Sequence, residues 1–160
     1  MINKLIVGTR SSNLAITQTN YVIRRLKEAN PSIEFLIRKI KTKGDKLLDK
    51  DLTKILDKGF FVSEIQNELE KKTIDFAIHS LKDLPSEGNN NLKSFTVTER
   101  EDPMDVLVLK KETKNKNINS IKLIGTSSLR RKEQIQKIYK GVKIKSIRGN
   151  IETRIKKLDN

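Results

Sequence analysis

Twice along this chain a short apolar run is cut by a Gly-Thr pair and followed at once by hydroxyls and arginines. Lys4-Leu-Ile-Val-Gly-Thr9 runs into Arg-Ser-Ser12, and Lys122-Leu-Ile-Gly-Thr126 runs into Ser-Ser-Leu-Arg130. A brief apolar run stopped by glycine reads as a buried strand. Serine or threonine ahead of helical periodicity reads as an N-cap, where a side-chain oxygen accepts one of the helix's unpaired N–H groups. The unit is strand, turn, capped helix, and its repetition near the start of each half restricts the chain to an α/β architecture. Two such units suggest two domains facing each other across a cleft; chance repetition over so short a segment is the rival reading.

The rest of the chain fills in the alternation. Leu5–Val7 is a strand, and a helix follows from Ser11 or Ser12 to about Asn30, with Leu14, Val22, Leu26 and Ala29 on one face and Gln18 near its start. Residues 33–41 suit a second strand. Residues 42–59 read as a polar loop with one short helix around 52–56. Gly59 opens a helix through Lys72 that turns Phe61, Ile65 and Leu69 inward. Ile74–Ile78 is a strand running into the donor-rich junction His79-Ser-Leu-Lys-Asp-Leu-Pro85, and residues 86–93 form a loop. Residues 95–98 and 105–109 read as strands on either side of a hinge, Glu99-Arg-Glu-Asp-Pro103. Beyond a polar excursion at 110–119 come the second unit, a helix using Ile135, Ile138 and Tyr139, a strand at 142–147, and a last helix with Ile151, Ile155 and Leu158. Nothing extended follows that helix. The second half, thin for an independent core, is expected to be part of a longer protein.

Charge narrows the partners. With 34 Lys+Arg against 20 Asp+Glu in 160 residues, the net charge is +14, which favours acidic ligands. Scattered lysines are ordinary solvated surface. Arg10, Arg100, Arg130, Arg131, Arg148 and Arg154 instead sit at or near the ends of expected elements, where α/β folds bind ligands. Helix N-termini attract anions through unpaired N–H groups and the positive end of the dipole, and guanidinium groups pair with carboxylates in two-point fashion. The junctions at 125–131 and at 148–154 therefore suit a ligand with several negative charges. No cysteine and one histidine exclude a thiolate site and make a zinc site a poor expectation; no metal site is assigned. No run of 18 apolar residues spans a membrane, and the first residues are too briefly apolar for a signal peptide, so a cytoplasmic protein is expected.

Six motifs in order carry a more specific likeness: Gly8-Thr-Arg-Ser-Ser-Asn-Leu-Ala15 with Gln18; Lys58-Gly-Phe-Phe61; His79–Pro85; Glu99-Arg-Glu-Asp-Pro-Met-Asp105; Gly125-Thr-Ser-Ser-Leu-Arg-Arg131; and Ile147-Arg-Gly-Asn150 with Thr153-Arg154 and Lys157–Asn160. From about residue 4 to residue 160 the chain resembles the porphobilinogen deaminase (hydroxymethylbilane synthase) family. That resemblance implies two α/β domains of the type II periplasmic-binding-protein kind with mixed sheets, residues 1–99 and an incomplete 100–160, with a third, C-terminal domain absent. It implies a transferase of tetrapyrrole (haem) biosynthesis that joins four porphobilinogen molecules, releasing ammonia each time, to give hydroxymethylbilane. The family grows its product on a dipyrromethane cofactor, thioether-linked to a cysteine of the third domain, and works as a monomer. By the same resemblance this portion alone is inactive.

The resemblance also assigns roles. Asp83 is the catalytic carboxylate, placed to stabilise cationic pyrrole intermediates and move protons; on the residues alone it would read as a helix-end aspartate paired with Lys82. Arg10, Ser12, Lys82, Asp83, Thr126, Ser127, Ser128, Arg130, Arg131, Arg148, Asn150 and Arg154 are implied to hold the cofactor. Arg10, Gln18, Lys54, Lys58, Phe61, Ser80, Arg148 and Arg154 are implied to hold the substrate. Phe61 is equally at home in a core, and His79 reads as a packed or capping residue. Two other functions fit the bulk numbers: a polyanion-binding module without catalysis, which would not need Asp83, and a nucleic-acid-binding protein. Against the latter stand 4% aromatic residues and no basic helix.

Overall fold

A computed structural model describes residues 3–46, 62–85, 88–89, 91–113 and 120–159. The chain divides into two compact units, Met1–Glu101 and Asp102–Asn160.

In the first unit β1 (Lys4–Arg10) is the centre of a three-stranded sheet, between β2 (Glu34–Ile40) and β3 (Phe76–Ala77), in the order β2-β1-β3. Both pairings are parallel: Lys4 to Arg10 align with Glu34 to Ile40, and Val7 and Gly8 align with Phe76 and Ala77. Asp75 N–H to the Ile6 carbonyl (2.8 Å) and Ile78 N–H to the Gly8 carbonyl (3.1 Å) continue the β1–β3 ladder beyond β3. Helix α1 (Asn13–Ala29) returns over the sheet, capped by Ser12, whose side chain accepts from Ala15 N–H. Its buried face is Thr19, Val22 and Ile23; of the expected stripe Val22 is buried and Leu26 half-buried, while Leu14 and Ala29 are exposed, so the inward face is turned from the expected one. The stripe rotates because Thr19 hydroxyl bonds the buried Thr9 hydroxyl at 2.8 Å and the Ala15 carbonyl at 2.8 Å, so a polar side chain is satisfied inside.

Val7, Val62, Ile65 and Ile74 complete this core, each at 2% exposure or less. Full burial of such a side chain stabilises by roughly 1.5–3 kcal/mol. Phe35 and Phe76 meet edge to face, centroids 6.3 Å apart. Gly8 lies in that core because a Cβ there would come within 2.4 Å of Ile74 Cδ1.

A short helix α2 (Lys43–Lys46) follows β2, where a polar loop was expected. Helix α3 (Ser63–Glu70) buries Ile65. It stops two residues short of the expected Lys72, which turns left-handed at φ 55° and ends the helix. The expected helix at 52–56, and the proposed start of α3 at Gly59, lie outside the described residues.

In the second unit β4 (Leu123–Gly125) pairs in parallel with β5 (Lys143–Lys145), and α4 (Leu129–Ile138) and α5 (Ile151–Asp159) follow them. All described ladders are parallel, so the expected mixed sheets are not seen among the described residues. Residues 95–98 and 105–109, expected as strands, run without ladder partners, and Phe95, Val97, Val106 and Val108 are exposed. Alternating apolar residues create a strand's faces, but only a neighbouring strand satisfies its backbone. Ile138, Ile151 and Ile155, expected to pack inward, are also exposed.

Candidate functional site

In the first unit the residues converge where β1 ends. Arg10 is its last residue, and two carboxylates meet it. Arg10 Nη2 donates to Asp45 Oδ1 at 2.6 Å, and Nη1 donates to Asp83 Oδ2 at 3.5 Å. Asp83 thus pairs with Arg10, 73 residues away, and its neighbour Lys82 is exposed. Asp83 closes a single 3-10 turn, Leu81–Asp83, instead of opening a longer helix. Ser80 Oγ donates to Gln18 Oε1 at 2.9 Å and ties that turn to α1. Arg10, Ser12, Gln18, Ser80 and Asp83 therefore lie at one end of one sheet.

Asp45 was not singled out in the sequence, although Thr42-Lys-Gly-Asp45 carries the spacing of a reciprocal helix cap. Asp45 N–H donates to Thr42 Oγ1 (3.3 Å), while Asp45 Oδ2 accepts from Thr42 N–H (3.2 Å) and Thr42 hydroxyl (2.8 Å). Its second oxygen is left for Arg10. Burial alone would raise the Asp45 pKa, but the Arg10 and Thr42 hydrogen bonds outweigh it and hold the carboxyl below its ordinary 3.8. His79 is pushed below its ordinary 6.5, chiefly by burial; Asp83 opposes that shift and Arg10 adds to it. A histidine kept neutral beside the Arg10–Asp83 pair fits the packed role expected for it.

In the second unit the residues converge on the ends of β4 and β5. Thr126 N–H donates to the Lys145 carbonyl (2.9 Å), which carries the ladder one residue past Gly125. Ser128 caps α4: its Oγ accepts from Arg131 N–H (3.4 Å), while Thr126 Oγ1 accepts from Ser128 N–H (3.2 Å). Both oxygens serve the backbone as acceptors, which leaves their O–H hydrogens to donate to an anion. Ser127 has partners within the chain. Its hydroxyl donates to the Ile147 carbonyl (2.8 Å) and lies 2.9 Å from Ser146 Oγ, so it fastens the β4 turn to the β5 turn.

Arg130 and Arg131, on the first turn of α4, share one carboxylate. Arg130 Nη2 donates to Asp105 Oδ2 (2.8 Å), and Arg131 Nε and Nη2 both donate to Oδ1 (3.0 and 2.6 Å). Those bonds, Arg131 first, hold the Asp105 carboxyl below its ordinary 3.8. At the next junction Gly149 takes φ +118°, a conformation open chiefly to glycine, and a Cβ there would also meet Thr153 Cγ2 at 2.6 Å. Asn150 then caps α5, its Oδ1 accepting from Thr153 N–H at 2.8 Å and Thr153 hydroxyl at 2.6 Å. Lys157 Nζ donates to the Arg148 carbonyl. Arg154, one turn into α5, has a buried Nε without a hydrogen-bond partner among the described residues. Lys54, Lys58 and Phe61 lie outside the described residues.

The two clusters share one make-up: guanidinium groups paired with carboxylates, beside hydroxyls and helix starts. The family model for "Porphobilinogen deaminase, dipyromethane cofactor binding domain" matches residues 5–160. The chain belongs to the porphobilinogen deaminase family. Porphobilinogen deaminase of Staphylococcus epidermidis (strain RP62A) is 49% identical over 158 residues, which is 99% of this chain and 51% of that protein. The enzyme of Listeria monocytogenes serotype 4a is 48% identical, and that of Staphylococcus carnosus 46%, with the same coverage. The chain spans about half the length of these family members. Among the described residues no helix is long and apolar enough to cross a membrane, and no group of acidic, histidine or cysteine side chains could hold a metal ion.

Proposed function

We propose that this chain is the cofactor- and substrate-binding part of an enzyme that condenses four porphobilinogen molecules to hydroxymethylbilane with loss of ammonia. Its two units correspond, in this reading, to the two type II periplasmic-binding-protein-like domains, residues 1–99 and 100–160. The observation that carries it is the set of carboxylate-binding groups at the strand ends, Arg10 with Asp83 in one unit and Arg130, Arg131 and Arg154 in the other.

A dipyrromethane group suits these donors. Each pyrrole bears an acetate and a propionate, and the second unit offers four guanidinium groups, the hydroxyls of Thr126 and Ser128, and an Arg154 Nε that has no hydrogen-bond partner among the described residues. When bound, the group would supply the free α-carbon that acts as nucleophile towards the first pyrrole. Arg130, Arg131, Arg148 and Arg154 hold acidic side chains, with Asn150 setting the start of α5 beneath them. Arg10, Gln18 and Ser80, with Lys54, Lys58 and Phe61, hold the incoming substrate.

Asp83 carries the chemistry. Loss of ammonia from porphobilinogen leaves a cationic methylene-pyrrolenine, and carbon–carbon bond formation leaves a second cation that must lose a proton. A fixed carboxylate beside the pyrrole N–H groups stabilises both cations and takes part in that proton transfer. Arg10, 3.5 Å from Asp83, restrains the carboxylate's position. The test is turnover of porphobilinogen by the full-length protein bearing Asp83→Ala. The expected result is a loss of roughly 10²-fold or more in kcat, with dipyrromethane still attached by mass spectrometry. Full turnover in that variant would refute the assignment.

A further inference from the structure

The two arginine clusters are neutralised in different ways, and the difference has a functional consequence. Asp45 is fixed independently of Arg10, since Thr42 N–H, Thr42 hydroxyl and the start of α2 all hold it. The hydrogen bonds of the Asp105 carboxylate, among the described residues, come from Arg130 and Arg131 alone. Residue 105 lies in a segment with no ladder. The pairing also falls short of what guanidinium groups can make. Arg131 directs both donors of its fork at one oxygen, because the other oxygen serves Arg130. A ligand with two carboxylates gives each guanidinium a whole carboxylate and restores the two-oxygen geometry. The helix turn that carries the arginines has supports besides Asp105: Ser128 Oγ accepts from the Arg131 backbone N–H, and Arg130 Nη1 donates to Gln134 Oε1 at 3.1 Å.

We propose that Asp105 is an exchangeable internal counter-ion, which holds the Arg130–Arg131 pair until a ligand carboxylate takes its place. This rests on the reading of those arginines as carboxylate ligands. Asp105 thereby acts as a selectivity device. A single carboxylate only replaces what is already there, whereas a ligand with several makes bonds that Asp105 cannot. Release of Asp105 also breaks the hydrogen bonds that join residue 105 to α4.

The test uses the 160-residue chain and butane-1,2,3,4-tetracarboxylate, followed by calorimetry and by the ¹³C resonance of the Asp105 carboxyl. Asp105→Asn is expected to bind the probe about fivefold more tightly than the native chain, the fold-change of a surface ion pair lost. In the native chain the Asp105 resonance is expected to move towards that of a solvated carboxylate as the probe is added. Equal or weaker binding by the variant, or an unmoved Asp105 resonance while the native chain binds, would overturn the exchange and leave the arginine reading standing. Unchanged probe affinity in Arg130→Ala/Arg131→Ala would overturn both. The resonance needs no variant, so a folding defect in Asp105→Asn does not shield the proposal.

Discussion

Arg10 shows how far a single residue could be read from sequence. Its place at the end of a strand, next to a hydroxyl cap, was legible because both signals are local. Its carboxylate partners were not, since Asp45 and Asp83 lie 35 and 73 residues further on. The same holds for Asp105, 25 and 26 residues before its arginines. Arginines announce a site by position, while the groups that balance them are set by packing. His79 turns this packing into a measurable quantity. Its pKa lies below 6.5 in the fold, chiefly through burial. Well above pH 6.5 it is neutral in both states and contributes no pH dependence. As pH falls below 6.5 the unfolded chain takes up a proton that the folded chain resists, and stability declines. Asp45 adds to the decline only further down, as pH passes below 3.8 through its lowered folded value. Urea midpoints at about pH 7.5 and about pH 5.5 should therefore differ, with the lower pH less stable, and His79→Gln should narrow the difference. An equal difference in the variant would place the titration elsewhere.

At the scale of elements, the helices and central strands were legible because each has a local stop or start signal: Ser12 before α1, Ser128 before α4, Asn150 before α5. Residues 95–98 and 105–109 have strand-like composition and no such determinant, since pairing depends on another segment. The end of α3 was misplaced for a different reason. Lys72 N–H donates to the Leu69 carbonyl and Thr73 N–H to the Glu68 carbonyl, the double closure of a helix ending in a left-handed residue. Glycine is the usual occupant, and lysine gives no sequence signal there. Its left-handed conformation costs about 1 kcal/mol. Lys72→Gly should recover most of this, raising unfolding free energy by roughly 0.5–1 kcal/mol, with part offset by the greater freedom of glycine in the unfolded chain. Chemical denaturation with an unchanged m-value would register it. Destabilisation instead would mean that the lysine stem packs against the helix end.

For the whole molecule, the two units differ in what holds them. The first has a three-stranded sheet covered by α1 and α3, with Val7, Val22, Ile23, Val62, Ile65 and Ile74 buried. In the second, Ile124 is the one buried apolar side chain among the described residues, on a two-stranded sheet three residues long. Parallel strands are ordinarily covered on both faces, yet Leu123, Leu129, Ile138, Ile151 and Ile155 remain exposed. Apolar burial sets the free energy of local opening, so the units should open independently and unequally. Amide exchange measured under native conditions should show Val7 and Thr9 among the slowest amides, while Ile124 and Lys145 exchange at least tenfold faster. That factor corresponds to about 1.4 kcal/mol, less than the burial of one further isoleucine contributes. Comparable protection in both sheets would mean that the short second sheet draws on stabilisation beyond its own core. The carboxylate cluster at the end of β4 offers one such source. A ligand held there by the folded unit stabilises it, so butane-1,2,3,4-tetracarboxylate should slow exchange at Ile124 and Lys145 and leave Val7 unchanged.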